Sequence, residues 1–331
     1  MLAPFQVVHP LGVRTTVDTS SENLMARLWW SLWTEPGDRE VGEFIERVGA
    51  AEAARVAHRV LRRGHRQIAE NFSENLSLLR RLASARRPPP TREQVTEVLE
   101  RCEREKIRLT TPQDQQWPNA LNDLGPHRPL LIFSRGELEH VHTTRTLIAV
   151  VGTRRPSVAG ARAASLVSHS LVTQGITIVS GGALGIDAIA HRSALAAQRP
   201  TLVVGATSLD RHYPREHAAL FEHAAREGLV VSETPPGKAI SPRSFLARNR
   251  LIAAISSAVI VVECPNQSGA LSTASHAATL GRELFALTYD RPRPENEGAQ
   301  RLIEEWNASV ISVSPDSDNS EVRFPTLRRA V

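Results

Sequence analysis

Residues 147–187 read LIAVVGTRRPSVAGARAASLVSHSLVTQGITIVSGGALGID. Two short apolar runs, Leu147–Val151 and Ile176–Val179, flank a stretch with helical spacing, and turn residues follow each run. Fully apolar runs of this length are typical of strands that are buried on both faces of a parallel sheet. Parallel strands need a long crossover between them, which is usually a helix. The segment therefore predicts a β-α-β unit.

The same alternation continues to about residue 312. Further strands are predicted at 202–204, 229–231, 259–262, 284–287 and 310–312, and helices at about 160–174, 186–198, 215–227, 242–257, 270–281 and 297–306. Alternating strands and helices build a sheet with helices on both faces. The predicted fold class is α/β, with a Rossmann-like, doubly wound, mostly parallel sheet.

A different pattern precedes this region. Leu24, Leu28 and Leu32 recur every fourth residue, and further helices are expected at about 38–48, 50–63, 65–85 and 91–105. Trp29 and Trp33 are expected to fill the core of a small all-helical domain rather than to bind a partner. The predicted division is an irregular N-terminus (1–19), a small helical, SAM-like domain (20–85), a proline-containing linker and helix (86–108), the Rossmann-like domain with its lead-in segment, including a strand at 130–133 (109–313), and a loose C-terminal tail (314–331).

Composition narrows the function classes. The chain has 331 residues and a net charge of +5, and all of its 40 basic residues except Lys106 and Lys238 are arginines. This charge permits nucleic-acid binding without proving it. Two cysteines, Cys102 and Cys264, are too few for a disulfide scaffold or a four-cysteine metal site. Without a long apolar stretch or a secretory signal, a cytoplasmic protein with no membrane contact is expected.

Ligands of doubly wound sheets lie beyond the carboxyl ends of the strands. After the first strand, Gly152, Thr153 and Arg154 could hold a phosphate, although the loop could equally be a tight turn with solvated arginines. After the second strand, three glycines open a helix, whose N–H groups could form an anion site. These candidate residues are Ser180, Gly181, Gly182 and Gly185.

Two later segments also follow strand ends, so they are expected at the same carboxyl edge of the sheet. Phe245 could stack on a base while Arg248, Asn249 and Arg250 meet a DNA backbone, or Phe245 could be core and the arginines surface. A further loop offers glycine and hydroxyls at a helix start. Its candidate residues are Ser268, Gly269 and Thr273.

Asp187 and His191 are expected to be structural, as a helix cap and a packed histidine. An Asp/His catalytic pair is the alternative, but no nucleophile accompanies it. With no catalytic set and no metal-binding pattern, the sequence does not predict an enzyme.

The combined motifs resemble the DprA/Smf family of DNA-processing proteins over about residues 145–312. The matching segments are Gly152-Thr153-Arg154; Ser180–Asp187 with His191; Asp210 with Tyr213-Pro214 and His217; Ser232-Glu233 with Pro235-Pro236-Gly237; Arg248-Asn249-Arg250; and Ser268-Gly269-Ala270-Leu271 with Thr273-Ala274.

The resemblance implies a binding protein that protects single-stranded DNA and helps to load the RecA recombinase during natural transformation. It also implies a homodimer that uses no nucleotide or metal cofactor. The implied basic pocket comprises Arg154, the Gly181-Gly182 loop, Arg248, Arg250 and the Ser268-Gly269 loop.

The chain departs from the family pattern at Leu184, where a larger or basic residue is frequent, and at Thr288-Tyr289, where Pro-Gly is usual. We expect a variant without the C-terminal winged helix. Two alternatives remain open: a nucleotide-sensing or nucleotide-derivative-hydrolysing protein in signalling or defence, and a partner-binding relic that binds no anion.

Overall fold

A mixed sheet forms the centre of the protein. The computed structural model describes residues 19–63, 75–84, 88–137, 146–289, 293–313 and 322–323. Within these ranges the strands are β1 (Arg108–Thr110), β2 (Ile132–Gly136), β3 (Leu147–Val151), β4 (Thr177–Ser180), β5 (Thr201–Val204), β6 (Leu229–Ser232), β7 (Ala258–Val261), β8 (Glu283–Thr288), β9 (Ser309–Val313) and β10 (Val322–Arg323).

The strand order is β1-β2-β6-β5-β4-β3-β7-β8-β9-β10. The strands from β6 to β9 in this order are mutually parallel, whereas β1, β2 and β10 pair in the antiparallel sense. The mostly parallel sheet predicted from the sequence is confirmed.

Helices precede the sheet and connect its strands. They are α1 (Thr19–Trp33), α2 (Arg39–Val48), α3 (Ala50–Arg63), α4 (Leu76–Ala83), α5 (Arg92–Arg104), α6 (Val158–Thr173), α7 (Ile186–Ala196), α8 (Ala218–Glu227), α9 (Pro242–Ile255), α10 (Gly269–Thr279) and α11 (Glu297–Trp306). Short 3₁₀ helices span Asn119–His127, Arg215–His217 and Pro294–Asn296.

The sheet is covered on both faces, because successive side chains of a strand point to opposite sides. Ile148 and Val150 of β3 pack with α6 and α7, whereas Ala149 and Val151 pack with α9, α10 and α11. The crossover helices thus divide into two layers, which is the doubly wound arrangement.

The N-terminal helices pack on the sheet rather than standing apart from it. Trp29, Trp30 and Trp33 are buried, and their hydrophobic cluster extends without a break to Phe133 of β2 and Val230 of β6. The indole N–H of Trp29 donates to the carbonyl of Pro90 over 2.9 Å. The prediction that the tryptophans form a core is confirmed.

Several local predictions need correction. The strand expected at 130–133 runs over Ile132–Gly136, where it pairs with β6, and β1 was not predicted. Of the helix expected at 65–85, residues 76–83 are helical, while 64–74 lie outside the described residues. In the expected loose tail, Val322-Arg323 pairs with β9; residues 314–321 and 324–331, like 1–18, lie outside the described part.

Over the described ranges, no helix combines the length and the apolarity that crossing a membrane requires.

Candidate functional site

The order in which strands are added to the sheet changes at β3, whose two parallel neighbours are β4 and β7. From β3 the chain runs outward through β4, β5 and β6, and it then returns to place β7 on the other side of β3. The loops that leave β3 and β7 therefore diverge, which opens a crevice at the carboxyl edge of the sheet. A cavity of about 650 Å³ lies at this point.

Most of the predicted site residues meet in this cavity. Those that line it are Gly152, Thr153, Arg154, Phe245, Arg248, Asn249, Ser268, Gly269 and Thr273, together with Asp187. Those that do not line it are Ser180, Gly181, Gly182, Gly185, Arg250 and His191.

The loop after β3 carries two exposed cations, Arg154 and Arg155. The N–H of Thr153 donates to the carbonyl of Glu263 over 2.7 Å, and the carbonyl of Thr153 accepts from the N–H of Ile186 over 3.2 Å. The loop is thus fixed to the segment that follows β7 on one side and to α7 on the other. It projects two guanidinium groups at the edge of the cavity.

Arg248 provides a third, buried cation. Its Nη1 donates to the carbonyls of Gly181 and Val204 over 2.7 and 2.6 Å, and its Nε donates to Asn249. Burial lowers the pKa of Arg248, the Asp187 carboxylate opposes this, and the Arg154 charge adds to it. A Cβ on Gly181 would collide with this guanidinium, so a larger residue there would have to displace Arg248 from its carbonyl partners.

The glycine loop after β4 does not form the predicted phosphate cradle. The Asp187 carboxylate already accepts the N–H groups of Gly181 and Ala183, over 3.1 and 3.4 Å. Gly182 packs against Phe221, and a Cβ on Gly185 would collide with the carbonyl of Thr153. The glycines permit close packing of the chain, and a phosphate at these N–H groups would have to displace a carboxylate.

The hydroxyl of Ser180 is also occupied, because it donates to the buried carbonyl of Val150 over 2.7 Å. Its position in the core explains why it does not reach the cavity.

Asp187 is not the helix cap that the sequence predicts, whereas His191 is buried, as expected of a packed histidine. The N-cap of α7 is Gly185, so Asp187 lies in the first turn and holds the preceding loop. Burial raises the pKa of Asp187, against the opposing effect of Arg248. His191 instead contacts the Thr201 hydroxyl over 2.7 Å.

Arg250, predicted to contact a phosphate, lies in the interior instead. It forms a buried ion pair with Glu233, with both N···O distances at 2.6 Å, and it donates to the carbonyl of His127. Residues two apart on a helix lie about 200° apart around its axis, so Arg248 and Arg250 cannot both face the cavity. The helical spacing of the Arg-Asn-Arg motif already contained this signal.

The N-terminus of α10 completes the cavity. Ser268 is the N-cap, and its hydroxyl accepts from the N–H of Ala270 over 3.2 Å. The Asn249 amide bridges this loop to Arg248: its Nδ2 donates to the carbonyl of Gly269 over 3.1 Å, and its Oδ1 accepts from Arg248. The positive end of the helix therefore adds to the arginine charges.

Phe245 lies on the wall of the cavity, half-buried. Its ring centroid is 5.2 Å from that of Tyr213, and the Arg154 guanidinium carbon is 5.8 Å from it. Tyr213, Leu246 and Arg155 also line the cavity but were not among the predicted site residues. Leu246 adjoins Phe245, and Tyr213 follows a predicted strand end, so position alone could have pointed to them.

The cavity combines arginines and one helix N-terminus with a single buried carboxylate, that of Asp187, among its lining residues. Such a site favours anions. Over the described ranges, no group of three histidines, cysteines or carboxylates could hold a metal ion.

A family model described as DNA recombination-mediator protein A matches residues 108–319. Protein Smf of Synechocystis sp. is 38% identical over 218 residues, which are 65% of this chain and 54% of that protein. The chain thus spans about half the length of this curated relative.

Two solved structures are similar to this chain over different shares of its length. The X-ray structure of DNA processing protein A from Streptococcus pneumoniae superposes with a TM-score of 0.67 at 28% identity, covering 87% of this chain and 94% of that one. The same protein from Helicobacter pylori, whose structure concerns a single-stranded DNA binding mode, gives a TM-score of 0.56 at 31% identity, with coverages of 62% and 92%.

Proposed function

The chain belongs to the DNA recombination-mediator protein A family, and we propose that it binds single-stranded DNA in the cavity between the ends of β3 and β7. The observation that carries the proposal is the set of cations there: Arg154 and Arg155 are exposed at the edge, and Arg248 lies beneath them. The single-stranded DNA binding mode described for the Helicobacter pylori relative supports the same ligand.

In this proposal the DNA backbone contacts the two exposed arginines and the N-terminus of α10. Guanidinium groups suit phosphate because they donate two parallel hydrogen bonds. Arg248 keeps Nε and Nη1 on protein acceptors, so it contributes mainly its charge and holds the surrounding loops. Phe245 contributes apolar surface on the wall, while Arg250 and the three glycines after β4 serve the structure.

The wider role follows from family membership. We infer that the protein acts by binding rather than by catalysis, that it protects incoming single-stranded DNA and helps to load RecA during natural transformation, and that it works as a homodimer. The family description as a recombination mediator supports this role. A cytoplasmic location stays a prediction.

Fluorescence anisotropy with a labelled thymine oligomer tests the proposed site. The double variant Arg154→Ala/Arg155→Ala removes two exposed cations that make no ion pair in the described structure. We expect its affinity to fall about tenfold or more, because the loss of even one charge-assisted hydrogen bond to a phosphate costs roughly 1.5 kcal/mol.

The matched control is Arg192→Ala/Arg199→Ala, which makes the same change in net charge. Both residues are exposed, and Arg199 follows the C-terminal end of α7, at the opposite edge of the sheet. The control should bind like the wild type. Equal decreases in affinity for the two variants would mean that general charge, and not this cavity, binds the DNA.

The volume of the cavity also favours one alternative. About 650 Å³ lies within the range of small-molecule sites, so a free nucleotide could fit. Competition with a nucleoside monophosphate and with a nucleoside triphosphate distinguishes the two functions. Displacement of a thymine oligomer by micromolar nucleotide would favour a nucleotide-binding protein, whereas a DNA mediator should need far more nucleotide than oligomer.

A further inference from the structure

The mouth of the cavity carries exposed apolar side chains. Large hydrophobic residues are mostly buried in this protein, but Tyr213 is 45% exposed and Leu246 is 57% exposed, and both line the cavity. Leu184, also 45% exposed, directly follows Ala183, which lines the cavity as well. An exposed apolar patch beside a binding cleft commonly marks contact with a ligand.

Tyr213 and Phe245 have different surroundings. The two rings meet edge to face at an interplanar angle of 63°, and Phe245 also lies close to the Arg154 guanidinium. Phe245 is the more buried of the two, so it supports its neighbours, whereas Tyr213 presents the larger free surface. The sequence suggested Phe245 for base stacking; the geometry makes Tyr213 the better placed ring.

We propose that Tyr213 and Leu246 form a base-contacting rim, on which unpaired bases lie while the adjoining phosphates meet Arg154 and Arg155. This inference rests on the proposed function and adds a source of preference for single strands. The occupant is a nucleobase because the rim is apolar and directly adjoins a cationic edge, and a single strand presents both surfaces together. In a duplex the flat faces of the bases are stacked inside and cannot reach the rim.

The test compares two oligomers of about 15 nucleotides, a length near the upper end of single-domain site sizes. One is a thymine oligomer, and the other is an abasic oligomer with the same phosphodiester backbone but no bases. Anisotropy is measured for the wild type and for Tyr213→Ala, Tyr213→Phe and Leu246→Ala. Thermal unfolding followed by circular dichroism checks that each variant is folded.

We expect Tyr213→Ala to weaken thymine-oligomer binding about tenfold, the typical effect of removing one aromatic ring on which a base stacks. Abasic-oligomer binding should not change, and Tyr213→Phe should restore the affinity because it keeps the ring. Leu246→Ala should act in the same direction with a smaller effect. If Tyr213→Ala fails to fold, Leu246→Ala alone decides.

The control is Val158→Ala. This change shortens a side chain that is 90% exposed and lies outside the cavity lining, so the variant should bind normally.

The rim proposal is overturned if the alanine variants leave both oligomers unaffected, or weaken both equally, since a base contact must discriminate between them. If the wild type binds neither oligomer, the proposed function itself fails. The two failures are thus distinguishable.

Discussion

Arg248 connects the charge of the cavity with its architecture. Its guanidinium is buried, and it holds the carbonyls that follow β4 and β5 through Gly181 and Val204. A buried cation is costly unless polar partners replace water. The two carbonyls and the Asn249 oxygen provide those partners, while the Asp187 carboxylate supplies an opposite charge nearby. A fixed cation, partly balanced by the Asp187 carboxylate, is therefore part of the buried wall of the cavity, beneath the exposed arginines.

His191 provides a test of the buried layer below this floor. Burial lowers its pKa to about 3, with smaller contributions from the charges of His217 and Arg248. The Thr201 hydroxyl donates to the carbonyl of Ile178, so it accepts from Nδ1–H of a neutral His191. In the unfolded chain the imidazole takes up a proton near pH 6.5, which the folded protein does not.

The first prediction concerns acid stability. Since the unfolded state binds the extra proton between about pH 6.5 and pH 3, the free energy of unfolding must fall as the pH is lowered through this window, by a few kcal/mol at most for this residue. Urea unfolding of wild type and His191→Gln between pH 7 and pH 4 measures the effect. His191→Gln should have a flatter pH dependence, while His169→Gln, at an exposed position, should follow the wild type. If the free energy of unfolding has the same pH dependence in wild type and His191→Gln, the low pKa of His191 does not contribute to acid stability.

At the scale of elements, α9 explains which side chains reach the cavity. Phe245, Arg248, Asn249 and Ile252 follow the i, i+3, i+4, i+7 spacing of one helical face, and all four line the cavity. Arg250 falls on another face and pairs with Glu233. The order of short sequence motifs predicts which loops approach the site, and the helical period then decides which side chain of each motif enters it.

The glycine loop before α7 supplies the second prediction. Gly185 has φ +82° and no room for a Cβ beside the carbonyl of Thr153, whereas Gly175 has φ +80° and open space around it. Gly175→Ala should cost about 1 kcal/mol for the left-handed backbone alone. Gly185→Ala should cost more, because its backbone (φ +82°, ψ −128°) is also unfavourable for alanine and the collision with Thr153 disturbs the arginine loop.

Urea unfolding of the two variants compares these costs, since both glycines have a positive φ and only Gly185 also lacks room for a Cβ. Gly185→Ala should also weaken binding of a thymine oligomer, and Gly175→Ala should not. Equal free energies of unfolding for the two variants would show that the close approach between α7 and the arginine loop is unimportant.

The sequence could predict much of the fold but less of the contact pattern. A fully apolar run such as Val259–Val262 indicates a strand that is buried on both faces. The parallel sheet and the loops at its carboxyl edge were therefore predictable. Two contacts could not be predicted. The Asp187 carboxylate accepts N–H groups of the glycine loop, and Glu233 forms an ion pair with Arg250. Both depend on tertiary contacts that no local pattern encodes.

At the scale of the whole molecule, the N-terminal helices and the sheet share one continuous hydrophobic cluster. Polar contacts also join the two regions. The Lys238 ammonium donates to the carbonyls of Ser31 and Thr34 at the end of α1, over 3.0 and 2.7 Å. Arg101 of α5 forms an ion pair with Asp210. The predicted division into a helical domain and a Rossmann-like domain stays a prediction, but these contacts couple the two regions energetically.

The third prediction follows from that coupling. Three of the five tryptophans, Trp29, Trp30 and Trp33, lie in α1, so intrinsic fluorescence mainly reports the helical region, whereas far-ultraviolet circular dichroism reports the whole chain. The two signals should show the same midpoint in urea, because a shared core unfolds cooperatively. A fluorescence transition at clearly lower urea would show that the helices unfold independently.

The salt dependence of single-strand binding tests the central claim most directly. For a thymine oligomer, the logarithm of the association constant should fall linearly with the logarithm of salt concentration, with a slope of about −0.7 for each phosphate that the protein neutralises. Arg154→Ala/Arg155→Ala should flatten this slope by roughly 0.7 for each phosphate that the variant no longer binds, while Arg192→Ala/Arg199→Ala should keep the wild-type slope. If the first variant retains both the affinity and the slope of the wild type, the cavity between β3 and β7 is not where this protein holds DNA.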